Sequence, residues 1–175
     1  MNGPRTYAEW LTLLDPFRSG DDSGLKAMQN GSIEWTNIVA ERWTRQVCEA
    51  LTARLQALSK QLQTGLDRAR GDASGISNAL LGARRALGPL RAFVSLPCLP
   101  EGVRNHLEAE LNRWITETQN SLERHAAQVR HDQGRLLKTI RDHPLGAVSV
   151  NRSSPPDAGS NQDPIPPVRG RRIIL

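Results

Sequence analysis

The 175-residue chain lacks the sequence features of secreted and membrane proteins. Its two cysteines, Cys48 and Cys98, are not at CxxC spacing and cannot form a dense disulfide framework, so a reducing compartment is expected. The N-terminal stretch MNGPRTYAEW has no basic-then-apolar signal pattern. No apolar run approaches the roughly 20 residues that a membrane helix needs. We therefore predict a soluble, cytoplasmic protein.

The motifs of catalytic and cofactor sites are also lacking. The chain contains no GxxxxGK[ST], GxGxxG, HExxH or GxSxG pattern. Glu-x-x-His, which holds two metals in helix bundles, is missing because Leu122 and Gln128 stand three residues before His125 and His131. We expect no catalytic residue, no metal and no cofactor, and interpret His125 as a hydrogen-bonded structural histidine. The glycines of GDASGISNALLGA are interpreted as turn markers.

Prolines are scarce until residue 143 and frequent afterwards, where six of the eleven occur together with Gly, Ser, Asn and Asp. Such a composition buries too little apolar surface to offset the entropy of ordering the chain. The sequence therefore divides into a folded domain, 1–143, and a disordered or extended tail, 144–175.

Helical periodicity dominates the first part. Thr6 and Glu9 have the spacing of a capping box, which predicts a short first helix ending at Asp15-Pro16. Apolar residues at steps of three and four predict three long helices. These run from an N-cap at Ser32 to Gly71, from Ala73 to about Val94 with a kink or break at Gly88-Pro89, and from Glu101 to Asp142.

The short connections between these helices favour antiparallel neighbours. The predicted fold is all-α: an antiparallel, coiled-coil-like bundle of three long helices, a short N-terminal helix and an extended, proline-rich C-terminal tail. We expect the tryptophans to fill the core where helices meet, with Trp10 near Trp35 and Trp43. The alternative is that one tryptophan is an exposed binding anchor.

Unequal helix lengths predict that the end of the fourth helix overhangs the bundle by about 25 Å. This overhang would expose apolar residues, which usually marks a binding surface for a partner or a second copy. The candidate residues are Arg135, Leu136, Leu137, Lys138 and Ile140.

The net charge of +5 permits contact with nucleic acid or acidic lipid without requiring it. Arg124, His131, Arg135 and Lys138 would align on one face of a continuous fourth helix, and Arg84, Arg85 and Arg91 cluster on the third. A solvated mixed-charge face is the favoured interpretation. A nucleic-acid-associated protein and a peripheral protein on anionic membrane are the alternatives.

The stretch PIPPVRGRRIIL combines a P-x-x-P-x-R pattern with basic and aliphatic residues. A polyproline helix would place the two prolines and the cation on one side, as SH3-type grooves require. The aliphatic residues could add to a sheet edge or fill an apolar pocket, with the terminal carboxylate captured by backbone donors. The candidate binding residues are Pro164, Pro167, Arg169, Arg171, Arg172, Ile173, Ile174 and Leu175.

Together these features predict a non-catalytic helical adaptor or scaffold subunit. It would bind other proteins through the overhanging helix and the C-terminal peptide, as part of a larger complex and with homo-oligomerisation as an option.

Overall fold

The computed structural model describes residues 3–69 and 71–147. This part of the chain forms six helices packed against one another, with the all-α bundle architecture that the periodicity predicts. The helices are α1 (Tyr7–Ser19), α2 (Leu25–Met28), α3 (Asn37–Ala69), α4 (Ala73–Val94), α5 (Glu101–Ala126) and α6 (Gln133–Asp142). The binding peptide predicted at 164–175 lies outside the described residues.

Helix α1 begins with the predicted capping box. The Thr6 hydroxyl accepts from the Glu9 backbone N–H, and the Glu9 carboxylate accepts from the Thr6 backbone N–H. Backbone N–H groups of Arg5 and Thr6 lower the pKa of Glu9. The predicted end at Asp15-Pro16 is wrong, because α1 continues to Ser19 with Pro16 inside it. Phe17 is buried, which stabilises this last turn.

Helix α3 begins at Asn37 rather than after an N-cap at Ser32. The backbone of Ser32 is engaged by distant residues instead: its N–H donates to Pro4 O, and its carbonyl accepts from Trp10 Nε1. These bonds hold the stretch before α3 against α1 and against the residues that precede α1.

Four aromatic side chains meet at the junction of α1 and α3. The ring centroids of Trp10 and Trp43 lie 5.3 Å apart, with the rings edge to face. The Trp35 ring is also edge to face with two neighbours, its centroid 6.1 Å from that of Trp43 and 6.0 Å from that of Tyr7. Trp10 and Trp43 are fully buried, which confirms for both the prediction that tryptophans fill the core between helices, and Trp35 is partly buried against the same core.

Helices α3 and α4 form an antiparallel hairpin at the predicted place. Gly71 adopts a left-handed conformation with φ 85°, and the Asp72 carboxylate caps α4 by accepting from the N–H groups of Ser74 and Gly75. The helices approach closely here, since a Cβ on Gly75 would lie 2.6 Å from the Ala69 Cβ.

The predicted kink or break at Gly88-Pro89 does not end the helix, because α4 is one element from Ala73 to Val94. Proline removes a backbone hydrogen bond. Burial of Leu87, Leu90 and Phe93 on both sides of Pro89 outweighs that loss.

The predicted continuous helix from Glu101 to Asp142 is wrong. Helix α5 ends at Ala126, and the chain turns through Asp132, which has a left-handed φ of 61°. Helix α6 then folds back onto α5 and α4. Leu136 and Ile140 are 6% and 0% exposed and belong to the core. The described structure therefore has no overhang, because folding back buries the residues that the overhang would have exposed.

None of the described helices is both long enough and apolar enough to cross a membrane.

Candidate functional site

The titratable side chains of the described residues form no cluster of three or more His, Cys, Asp or Glu that could hold a metal ion. His125 Nδ1 lies 2.8 Å from Ser121 O, as expected for a structural histidine. Burial raises the pKa of the Cys48 thiol, with a further contribution from Glu49, and burial also raises the pKa of the Cys98 thiol. A raised pKa reduces the thiolate fraction and makes both thiols poor nucleophiles.

The residues predicted to form an overhanging binding surface are divided between core and solvent. Leu136 and Ile140 pack inside the bundle and Leu137 is half-buried, whereas Arg135 and Lys138 are exposed. The chain's own helices thus bury Leu136 and Ile140, the two residues that would have supplied apolar contacts to a partner.

The predicted alignment of basic residues on the fourth helix is also lost. The end of α5 at Ala126 places Arg124 on a different helix from Arg135 and Lys138. On α6, Arg141 pairs with Glu123 of α5 at 3.7 Å.

Two arginines of α4 hold the chain that follows α6. Arg84 Nη2 donates to His143 O at 2.7 Å, and Arg91 Nη2 donates to Gly146 O at 3.1 Å. We call residues 143–147 the anchored segment. These arginines therefore bind backbone carbonyls of the anchored segment.

Leu145 and Gln119 complete this attachment. The Leu145 side chain is 2% exposed within the core. The Gln119 amide accepts from the Leu145 N–H and donates to Ile140 O, both at 3.2 Å. The bundle consequently extends to Leu145, two residues beyond the boundary predicted at 143.

An open groove with a volume of about 570 Å³ lies between α3 and α4. We call it the α3–α4 groove. Trp114 of α5 also lines it and donates from Nε1 to Ser59 Oγ on α3 at 3.0 Å. Leu58 and Leu62 on its wall are only partly buried, whereas Leu55 and Leu66 on the same helix are buried. The further small and apolar lining residues are Gly65, Ala69, Gly75, Ala79, Gly82 and Ala83.

The groove continues a helix face that α1 already covers. Along α3, Trp10 packs on Trp43 and Gly20 lies beside Arg54, so α1 runs in the same direction as α3. Eighteen residues make five helical turns, which places Gln61 of the groove on the same face as Trp43. Helix α1 ends at Ser19, and the groove begins at Leu58, one turn past Arg54.

The same continuity holds on α4. Phe93 stacks on Phe17 of α1. Gly75 stands eighteen residues before Phe93 and Gly82 eleven before it, so both share its face. Among residues 3–69 and 71–147, bundle packing therefore covers one end of the α3–α4 face with α1 and leaves the other end open.

The prediction that the glycines of GDASGISNALLGA mark turns is wrong for Gly75 and Gly82, which lie inside α4. Their spacing with Ala79 and Ala86, at steps of four, three and four, gives a small-residue helix face. This spacing was the signal that could have indicated the groove from the sequence.

The chain matches no protein-family model, no curated protein and no solved structure.

Proposed function

We propose that this protein is a non-catalytic helical adaptor, in which the bundle is the folded platform and residues 164–175 are a peptide that binds another protein. The observation that carries the proposal is the attachment of the anchored segment. A buried leucine and side chains from two helices fix the chain immediately before the residues that lead to the peptide.

This arrangement suits an adaptor because it fixes the point at which the chain leading to the peptide leaves the described bundle. Residues 148–163 separate the anchored segment from the peptide. Sixteen residues in random-coil dimensions would span roughly 20 Å root mean square, enough for the peptide to reach a partner beside the bundle. Tethering also raises the effective concentration of one bound protein near another.

Within the peptide, Arg169, Arg171 and Arg172 would bring it to an acidic surface, and Ile173 and Ile174 would supply the apolar contact. Replacing both isoleucines with Asp removes the apolar contact and adds two negative charges. The matched control is Val148→Asp with Val150→Asp, which makes the same change in charge nearer the bundle.

The test is affinity purification of the full chain and both double variants from cells that naturally produce it, with quantitative mass spectrometry. Ile173→Asp with Ile174→Asp should lose the principal partner while the helical circular dichroism and melting temperature stay unchanged. The control variant should keep that partner. Retention of the same partner by both variants would refute the peptide's role.

A further inference from the structure

We propose that the open α3–α4 groove binds an amphipathic α-helix of about three turns, contributed by another protein. This site is separate from the peptide at 164–175 and goes beyond the adaptor function proposed above. Helix-in-groove binding of this kind uses apolar residues at helical spacing on one face of the bound helix.

The first argument is that the covered end of the same face already holds a helix. On α1, Trp10, Leu14 and Phe17 follow each other at steps of four and three and are all buried. The groove extends along α3 from Leu58 to Ala69, a rise of about 17 Å or three turns. A helix there would lie beyond the end of α1 and complete the bundle.

The second argument comes from Gly65 and Gly82. Both lie inside long helices, where glycine is less favourable than alanine. Gly75 has a reason for its missing side chain in the close approach of Ala69, but a Cβ on Gly65 or Gly82 would meet no described atom within 4 Å. Both glycines line the groove, where they permit a bound helix to approach the backbone closely.

Residues 148–167 of this chain do not fit this site. Prolines at 155, 156, 164, 166 and 167 interrupt the sequence after residue 147. Between residues 148 and 167 these prolines leave stretches of at most seven residues, which are too short for three helical turns of about 11 residues.

A second copy of the bundle fits poorly as well. An inserting helix needs several large apolar residues on one exposed face. Among the residues with described side chains, the exposed large apolar ones are Ile38 on α3 and Leu81 on α4, each isolated on its helix. The described residues therefore offer no such face, which favours a helix from a different protein.

The experiment places the photoreactive residue p-benzoylphenylalanine in the full chain at Gln61, on the groove rim, and in a control at Gln63. Both glutamines are exposed on α3, but two residues turn the helix by about 200°, so Gln63 faces away from the groove. Cells that naturally produce the protein are irradiated, and the crosslinked peptides are sequenced by mass spectrometry.

Crosslinking at Gln61 but not at Gln63 is expected. The crosslinked peptide should come from another protein and carry apolar residues at steps of three and four. Crosslinks to this chain itself, to a peptide without that pattern, equally at both sites or at neither site would overturn the proposal.

The crosslinked peptide, synthesised, should bind the full chain, and Gly82→Trp should weaken binding about tenfold or more, a loss of at least about 1.4 kcal/mol. Gly88→Trp is the control, because Gly88 is an open, exposed glycine on the same α4 helix but does not line the groove. Equal binding by both variants would contradict the site. The Ile173→Asp, Ile174→Asp variant should keep this crosslink, which distinguishes failure of the groove from failure of the peptide.

Discussion

The ring of Phe17 on α1 stacks on the ring of Phe93 on α4, with centroids 4.1 Å apart and planes 10° apart. The Arg54 guanidinium lies 5.9 Å from the Phe17 ring centroid and pairs with Asp22 at 3.4 Å. The stack joins the N-terminal helix to the bundle and marks the covered end of the α3–α4 face.

Phe93→Ala should lower the free energy of unfolding by about 3–5 kcal/mol, because it removes a fully buried ring and leaves a cavity beneath Phe17. Chemical denaturation followed by circular dichroism measures the change. Phe93→Leu, which keeps most of the apolar volume, should cost clearly less. A loss below 1 kcal/mol for the alanine variant would contradict this packing.

The three glycines of the α3–α4 groove should respond differently to alanine. Gly65→Ala and Gly82→Ala should each stabilise the protein by about 0.5–1 kcal/mol, since the helix gains propensity and the new Cβ enters open space. Gly75→Ala should destabilise it, because its Cβ would meet Ala69 at 2.6 Å. The melting temperatures of the three variants test these differences in stability. A stabilising Gly75→Ala would show that α3 and α4 do not approach as closely at Gly75 and Ala69.

The fold-back of α6 makes a stability prediction that an overhanging helix would not make. Ile140→Ala should reduce the free energy of unfolding by about 2–5 kcal/mol, since Ile140 is 0% exposed. Lys138→Ala on the exposed side of α6 is the control and should change it by less than about 0.5 kcal/mol. Equally small changes in the free energy of unfolding at both positions would contradict the fold-back and support an overhanging helix.

Both cysteines should react slowly with iodoacetamide in the folded protein. Their raised pKa leaves less thiolate near pH 7.5 than an ordinary thiol has, so alkylation should accelerate when the chain is unfolded in denaturant. The folded protein binds the two thiol protons more tightly than the unfolded chain does. The free energy of unfolding should therefore decline as the pH rises from the pKa of an ordinary thiol through the raised pKa of the folded state. Alkylation faster in the folded state than in the unfolded state would indicate an activated thiol instead.

Local patterns predicted much of the bundle. The capping box at Thr6 and Glu9 and the hairpin at Gly71 and Asp72 depend on nearby residues, and both are confirmed. On α4 the apolar residues at steps of four and three, whose spacing predicts this helix, are buried: Ile76, Leu80, Ala83, Leu87, Leu90 and Val94.

The predicted helix boundaries were wrong where residues far apart in the sequence are in contact. The stretch before α3 is bonded to Trp10 through the Ser32 carbonyl, and Ile140 is buried where α6 folds back onto α5 and α4. Helical periodicity alone does not distinguish one long helix from two that pack together. The groove is open because α1 is 13 residues long and α3 is 33, and only the assembled bundle shows which part of α3 is covered.

The central proposal is that this protein binds other proteins at two separate sites, the peptide at 164–175 and the α3–α4 groove. Native mass spectrometry tests it directly, on the full chain and its variants purified from cells that naturally produce it. The full chain should carry at least two different partners. Ile173→Asp with Ile174→Asp should lose one of them, and Gly82→Trp should lose the other. A full chain that purifies alone, or variants that keep the same partners as the full chain, would contradict the claim.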